Sequence, residues 1–170
     1  MKGYIPIEIP TKKYIKAYVR AQLGENPMMS TEHNIGSKFY DLLQHETNER
    51  RTEFASARYN AKMKLYVSYH TFYQRGAFLN ETNIKSFNIY LELQIKTRFR
   101  HYMDFYLEIY PNFSANLPAV RRHLGIDIEA WDDDSLQKDY YRYRKKNNRP
   151  LLYKNDEPRV VFGRHLDPAF

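Results

Sequence analysis

The helical pattern from Thr82 to Tyr110 constrains the fold more than any other feature of this chain. Apolar residues recur there at every third or fourth position, as one face of a helix requires. They are Phe87, Leu91, Ile95, Phe99, Tyr102, Met103, Tyr106, Leu107 and Tyr110. Thr82 is predicted to cap the amino end of the helix, and Pro111 prevents its continuation. A helix of this length with a single apolar stripe predicts the central element of a hydrophobic core.

Two stretches before the long helix alternate between apolar and polar residues, which is typical of strands. Residues Tyr4–Ile9 predict a short strand that Pro10 ends. Because proline lacks a backbone donor, Pro6 restricts this strand to the edge of a sheet. The clearer alternation over Lys62–Phe72 predicts a second strand. A small sheet is therefore expected beside the long helix.

Helical patterns fill the chain between these two strands. Thr11 is predicted to cap a helix over Lys12–Leu23, and Gly24 is predicted to end it. Residues Lys38–Gln44 predict a short helix or turn, while residues 45–61 are polar and predict a linker or a solvated helix. The expected fold class is therefore α+β, dominated by helices.

The apolar and charged patterns also predict how the chain is organised. Residues 1–80 are expected to form an N-terminal α/β part, and residues 81–148 a helical part. Residues 149–170 are rich in proline and basic side chains, with Val160–Phe162 as a candidate final strand. This last segment is expected to be a basic arm or a strap that packs on the domain.

Composition excludes several classes of protein. The chain has no cysteine, which excludes a disulfide framework and a zinc finger and fits a reducing compartment. No stretch is apolar enough to cross a membrane, and Pro6 and Glu8 interrupt the start where a signal peptide would need an apolar core. These observations predict no membrane contact and a location in the cytoplasm of the cell that makes the protein.

No catalytic, cofactor or metal motif is found in the sequence. The six histidines are scattered, and the six glycines include no phosphate-binding loop. Residues Asp132–Asp134 resemble a metal-binding corner, but adjacent side chains diverge, so helix capping is the better interpretation. Tyr69, His70 and Arg75 include the residue types of tyrosine-dependent DNA strand transfer, but strand alternation already explains them. The chain is therefore predicted not to be an enzyme, with neither a cofactor nor a metal.

Positive charge is concentrated toward the C-terminus. The net charge is +7, and residues 138–164 carry nine basic side chains against three acidic ones. The preceding segment 127–134 holds five acidic side chains and no basic one. This reversal predicts an organised surface whose partner is a polyanion, although a solvated helix face beside a loop would also produce it.

Two short helices are predicted across this reversal. Ser114 or Asn116 is expected to cap the first helix, and Gly125 supplies the left-handed residue that ends it. The second helix is predicted to begin at Asp134 or Ser135, where aspartates favour the positive end of the helix dipole. The connection is longer than the usual three or four residues, and residues 128–131 could form an extra turn within it.

The second helix is predicted to have two unlike faces. Leu136, Tyr140 and Tyr143 fall on one stripe that can dock on the long helix. The opposite face is predicted to carry Lys138, Tyr141, Arg142 and Lys145. Over residues 112–146 the chain resembles a DNA-binding helix-turn-helix, in which an apolar back docks while cationic side chains reach phosphates and base edges.

Two stretches are similar to small uncharacterised proteins encoded by bacteriophages and mobile elements of Bacteroidetes. They are Ile126–Arg144, which matches the C-terminal part of those proteins, and Ile7–Ile15 near the start. The resemblance implies a phage or mobile-element role, and with it a location in the host-cell cytoplasm or, as the alternative, association with the virus particle. Those proteins have no established activity that could be assigned to this chain.

The resulting hypothesis is a non-enzymatic DNA-binding protein. In this hypothesis, the side chains that enter a groove of DNA are Lys138, Tyr141, Arg142 and Lys145. Those that hold phosphates are Arg121, Arg122, Arg144, Lys146 and Arg149. The alternative is a phage structural, assembly or host-takeover protein that uses its tyrosine-rich surface, with 16 tyrosines in the chain, to bind another protein or a second copy of itself.

Overall fold

The computed structural model describes residues 3–45, 59–147 and 149. Helices dominate it, and a two-stranded antiparallel sheet lies at one side, so the predicted α+β class is confirmed. The helices are α1 (Lys13–Leu23), α2 (Asn34–Leu42), α3 (Tyr69–Arg75), α4 (Glu81–Ile109), α5 (Phe113–Leu124) and α6 (Asp133–Lys146). The strands are β1 (Tyr4–Thr11) and β2 (Ala61–Ser68). The predicted linker at 46–58 and the predicted arm at 150–170 lie outside the described residues.

Strands β1 and β2 pair from Tyr4 opposite Ser68 to Thr11 opposite Ala61. One face of the sheet is buried because apolar residues alternate along both strands. The sheet tolerates Pro6 and Pro10 because β1 has no neighbour on its other side within the described sheet. Pro10 therefore does not end the strand as predicted, since pairing continues to Thr11.

Side-chain caps explain where the predicted boundaries of the first elements were wrong. Strand β2 ends at Ser68 and not at Phe72, because the Ser68 hydroxyl accepts a hydrogen bond from the Thr71 amide (3.1 Å) and starts α3. Thr11 does not cap α1. Its hydroxyl instead donates to the buried Oδ1 of Asn88 in α4 (2.6 Å), which ties the sheet to the long helix.

Helix α4 is the central element of the core, as predicted. It buries Phe87, Leu91, Ile95, Phe99, Met103 and Leu107 at intervals of four residues. Its amino end is capped by Asn80 and not by Thr82, because the Asn80 side chain accepts from the Asn83 amide (2.8 Å). Tyr110, assigned to the apolar stripe, is exposed beyond the end of the helix.

The core is one cluster of buried side chains drawn from both the sheet and the helices. Ile9 and Leu65 of the sheet, Ile15 of α1 and Tyr140 of α6 all belong to it and are at most 1% exposed. The predicted N-terminal and helical parts therefore contribute to the same hydrophobic core. Helix α6 is anchored in that core, and this anchoring fixes which of its side chains face outward.

Candidate nucleic-acid interface

Helix α6 is formed by a sequence whose charges match the helix dipole. The Asp132 side chain caps it by accepting from the Ser135 amide (2.8 Å), and this backbone hydrogen bond lowers the pKa of Asp132. Asp133 and Asp134 lie in the first turn, and three cations lie in the last turn. Acidic side chains at the amino end and basic ones at the carboxyl end both stabilise a helix. The predicted start at Asp134 or Ser135 is one or two residues late.

Tyr140 anchors the inner face of α6. Its ring is fully buried against Phe99, at 6.2 Å between centroids and 84° between planes. Its hydroxyl donates to Oδ1 of Asp104 in α4 (2.6 Å) and accepts from Nη1 of Arg144 (3.0 Å). Burial and the neighbouring Asp104 raise the pKa of Tyr140. This contact sets the rotation of α6 about its own axis.

An ionic chain fixes the side of α6 that faces α4. Asp139 accepts both Nε and Nη2 of Arg100, at 3.1 and 2.8 Å, and also lies 3.5 Å from Nζ of Lys96. Lys96 and Lys12 both pair with Glu92, at 2.8 and 2.7 Å. Burial alone would raise the pKa of Glu92, but hydrogen bonds from these two lysines outweigh it and lower the pKa. The carboxylates of Asp139 and Glu92 are thus neutralised by cations of the protein itself.

The outer face of α6 carries cations without such partners. Lys138, Arg142 and Lys145 are exposed, and none forms a hydrogen bond or ion pair with the residues that the structure describes. They stand four and three residues apart, so they lie along one line of the helix. We call these three side chains the cationic face. The structure thus confirms that this stretch is a helix with Leu136 and Tyr140 buried behind it.

A cleft of about 420 Å³ opens between α1 and α6 beside the cationic face. Lys13 stands on its α1 side, and Lys138 and Arg142 stand on its α6 side. The paired Glu92 and Asp139 lie within it. Cations that form no ion pair with the described residues therefore line both sides. Of the carboxylates in the cleft, Glu92 and Asp139 are paired with lysine and arginine, and Asp132 accepts from the Ser135 amide. We call this feature the α1–α6 cleft.

Tyr141 is not where the sequence placed it. It was assigned to the outer face, but it is half-buried, with its ring 6.1 Å from that of Phe113 in α5. Its hydroxyl accepts from the side chain of Gln137 (3.2 Å). Tyr141 lies one position beyond the buried Tyr140, so its ring turns toward α5 instead of away from the core.

Three of the five predicted phosphate-binding arginines and lysines are engaged inside the protein. The side chain of Arg121 is only 11% exposed, and it pairs with Asp133 and donates to the backbone oxygens of Asp127 (2.8 Å) and Trp131. Arg144 donates to Tyr140, and Arg149 pairs with Asp104. Only Arg122 and Lys146 are exposed and free of hydrogen bonds and ion pairs with the rest of the described chain.

Arg121 explains why the connection between α5 and α6 can be long. The connection covers residues 125–132, and Asp127 begins a turn by accepting from the Ala130 amide (2.8 Å). Trp131 then stacks on Tyr14 of α1, at 4.3 Å between ring centroids. The arginine and the stacked ring hold the connection at both ends, so α6 is positioned without the short turn of a usual helix-turn-helix.

Lys13 is the component of this surface that the sequence did not predict. From the sequence alone, Lys13 is a charged residue beside the predicted start of a helix. Only the fold, which places α1 across a cleft from α6, brings it next to the cationic face. In the described ranges, no group of three or more histidines and carboxylates could hold a metal ion. The helices of those ranges are also too short or too polar to cross a lipid bilayer.

No protein-family model, curated protein or solved structure matches this chain.

Proposed function

We propose that this protein binds DNA through the cationic face of α6, and that it does so without catalysis. The observation that carries the proposal is the contrast between two sets of charges on one helix. Asp139 and Arg144 are engaged in contacts within the protein, whereas Lys138, Arg142 and Lys145 are exposed and form no hydrogen bond or ion pair with the described residues. A row of unpaired cations on a rigidly docked helix is suited to phosphate groups.

The acidic start of α6 determines which end approaches the DNA. Asp134 is exposed in the first turn, where it would repel phosphates. Arg142, Lys145 and Lys146 lie in the last two turns. The part of α6 from Lys138 to Lys146 is therefore the part that contacts DNA in this proposal, whereas a usual recognition helix places its amino-terminal residues against the bases.

Lys13 extends the proposed surface across the α1–α6 cleft. A phosphate at the mouth of the cleft would meet Lys13 from one side and Arg142 from the other. The proposed contacts leave out four predicted residues whose side chains hold α5, α6 and the connection in place. These are Tyr141, Arg121, Arg144 and Arg149. The phage or mobile-element origin remains part of the proposal on the resemblance of residues 7–15 and 126–144.

The test is a comparison of two charge-reversed variants that differ only in the location of the charges. Arg142→Glu/Lys145→Glu changes the cationic face, and Lys38→Glu/Lys64→Glu makes the same net change on α2 and β2. Binding to a labelled duplex is measured by fluorescence anisotropy at fixed salt. We expect the first variant to lose roughly tenfold or more in affinity, because each lost contact costs roughly 1 kcal/mol or more. Equal losses in both variants would contradict the assignment to α6.

A further inference from the structure

Helix α4 has a second row of residues, which lies opposite its buried face. The row is spaced four residues apart and consists of Ile89, Leu93, Thr97, His101, Phe105 and Ile109. All six residues are exposed. The four large apolar members are 66%, 58%, 54% and 63% exposed in chain order. We call these six residues the outer row.

The outer row is continuous along most of α4. From Ile89 to Ile109 it extends about 30 Å, at 1.5 Å per residue. It keeps the same four-residue spacing as the buried row that includes Phe87 and Leu107, so both rows follow the helix together. Single exposed apolar residues are ordinary on protein surfaces, but here they form two pairs, Ile89 with Leu93 and Phe105 with Ile109, aligned on one side of one helix.

The order of residues in the outer row favours a second copy of this chain as the partner. The row begins with two large apolar residues, continues with two smaller or polar residues and ends with two large apolar residues. It therefore has the same pattern when it is followed from either end. A twofold interface requires such self-complementarity, because the same patch is used by both subunits. In an antiparallel pair, Leu93 of one copy faces Phe105 of the other.

The centre of the outer row also suits close packing of two helices. Thr97 is the smallest of the six residues and lies next to the midpoint, where the helix axes would approach most closely. A contact along the whole row requires two axes within about 20° of antiparallel and 8–10 Å apart, as in four-helix bundles. The neighbouring His101 would lie beside Thr97 of the second copy, where the two can form a hydrogen bond.

We propose that α4 pairs with α4 of a second copy, antiparallel, through the outer row. A strip about 30 Å long and about 10–12 Å wide covers about 300–360 Å² per copy. This is below the roughly 800 Å² per partner of a standard interface, so the dimer is weak and reversible. The inference does not depend on the proposed DNA binding.

The first experiment is sedimentation velocity of the full chain over a hundredfold range of concentration. We expect a species of twice the 20.6 kDa chain mass to grow with concentration. Leu93→Glu should remove it, because the substitution buries two carboxylates against phenylalanine. Ile128→Glu is the matched control, since Ile128 is 62% exposed on the connection before α6 and should leave the dimer intact. Circular dichroism checks that both variants are folded.

The second experiment tests the antiparallel register by cross-linking. The chain has no cysteine, so introduced cysteines are the only thiols present. Leu93→Cys/Phe105→Cys should form a disulfide-linked dimer under mild oxidation, because each cysteine faces its counterpart on the other copy. Leu93→Cys alone should not, since the two copies of residue 93 are about 18 Å apart along the helix axis.

Three results would overturn the proposal. A wild-type chain that stays monomeric at every concentration would show that the outer row does not self-associate. A dimer that survives Leu93→Glu would place the interface elsewhere. Efficient cross-linking by Leu93→Cys alone would exclude the antiparallel register.

Discussion

Tyr140 is the side chain on which the position of α6 depends most, and Tyr140→Phe removes only its hydroxyl. The ring is fully buried and stays in place in phenylalanine. The substitution eliminates the hydrogen bond to Asp104 (2.6 Å) and the one from Arg144 (3.0 Å). We expect it to lower the free energy of unfolding, because both lost bonds involve a charged partner.

The size of the effect can be worked out from these contacts. Hydrogen bonds to charged groups contribute about 1.5–3 kcal/mol each. Asp104 keeps its bonds from Arg149 and from the Tyr143 hydroxyl (3.3 Å), so it is not left unsatisfied. The two lost bonds together account for about 3–6 kcal/mol, and because Asp104 stays bonded we expect a loss of about 3 kcal/mol, at the low end of this sum. In a protein of this size that corresponds to a fall of about 6–12 °C in Tm.

The assay is urea unfolding followed by circular dichroism, with Tyr141→Phe as the matched control. The Tyr141 hydroxyl is half-buried and accepts only from Gln137, so its removal should cost about 0.5 kcal/mol or less. An unchanged m value would show that both variants unfold from the same compact state. If Tyr140→Phe were as stable as Tyr141→Phe, the claim that the Tyr140 hydroxyl anchors α6 would be refuted.

Three further predictions concern the segments that support α6. Gly125→Ala should destabilise the protein by about 1–3 kcal/mol in thermal unfolding, because Gly125 has φ +64° and a Cβ there would lie 2.1 Å from that of Ala21. Asp132→Ala should lower the free energy of unfolding in urea by about 1 kcal/mol, because the α6 cap is lost, whereas Asp132→Asn should keep most of the stability that the cap provides. The lowered pKa of Glu92 means that its contribution is present above its ordinary pKa of 4.5 and is lost as pH falls through the lower folded value. Glu92→Gln should therefore show a smaller loss of stability on acidification below pH 4.5, and an unchanged pH profile would contradict this assignment.

The helices with clear periodicity could be predicted from the sequence. The long helix and the C-terminal pair follow from apolar spacing, and Gly125 ends α5 in the left-handed conformation as expected. The inner face of α6 was also predictable, because Leu136 and Tyr140 fall on one stripe of a helix.

Contacts between distant residues could not be predicted from local pattern. Alternation continues through Tyr69–Phe72, but the Ser68 hydroxyl caps a helix there and ends the strand. Thr11 has the residue type of a cap, yet its hydroxyl is bound to Asn88, 77 residues away. At Ser68 a local helix cap decides between two structures that the pattern allows, and at Thr11 a tertiary hydrogen bond does.

The same limit applies to the candidate site. The sequence shows that Arg121 and Arg144 are basic, but not that Asp133 and Tyr140 occupy them. It also does not show that Lys13 comes to lie across a cleft from Arg142. Charge along the chain therefore overestimates the number of cations available to a partner.

The salt dependence of DNA binding tests the role of the cationic face most directly. Five phosphate contacts would give a slope of about −4.5 in a plot of log affinity against log salt concentration, at −0.9 per phosphate. The side chains that make these contacts are Lys13, Lys138, Arg142, Lys145 and Lys146. The variant Lys138→Gln/Arg142→Gln/Lys145→Gln should reduce the magnitude of that slope by about 2.7. A wild-type affinity that does not change with salt, or the same slope in both proteins, would contradict the role assigned to this face.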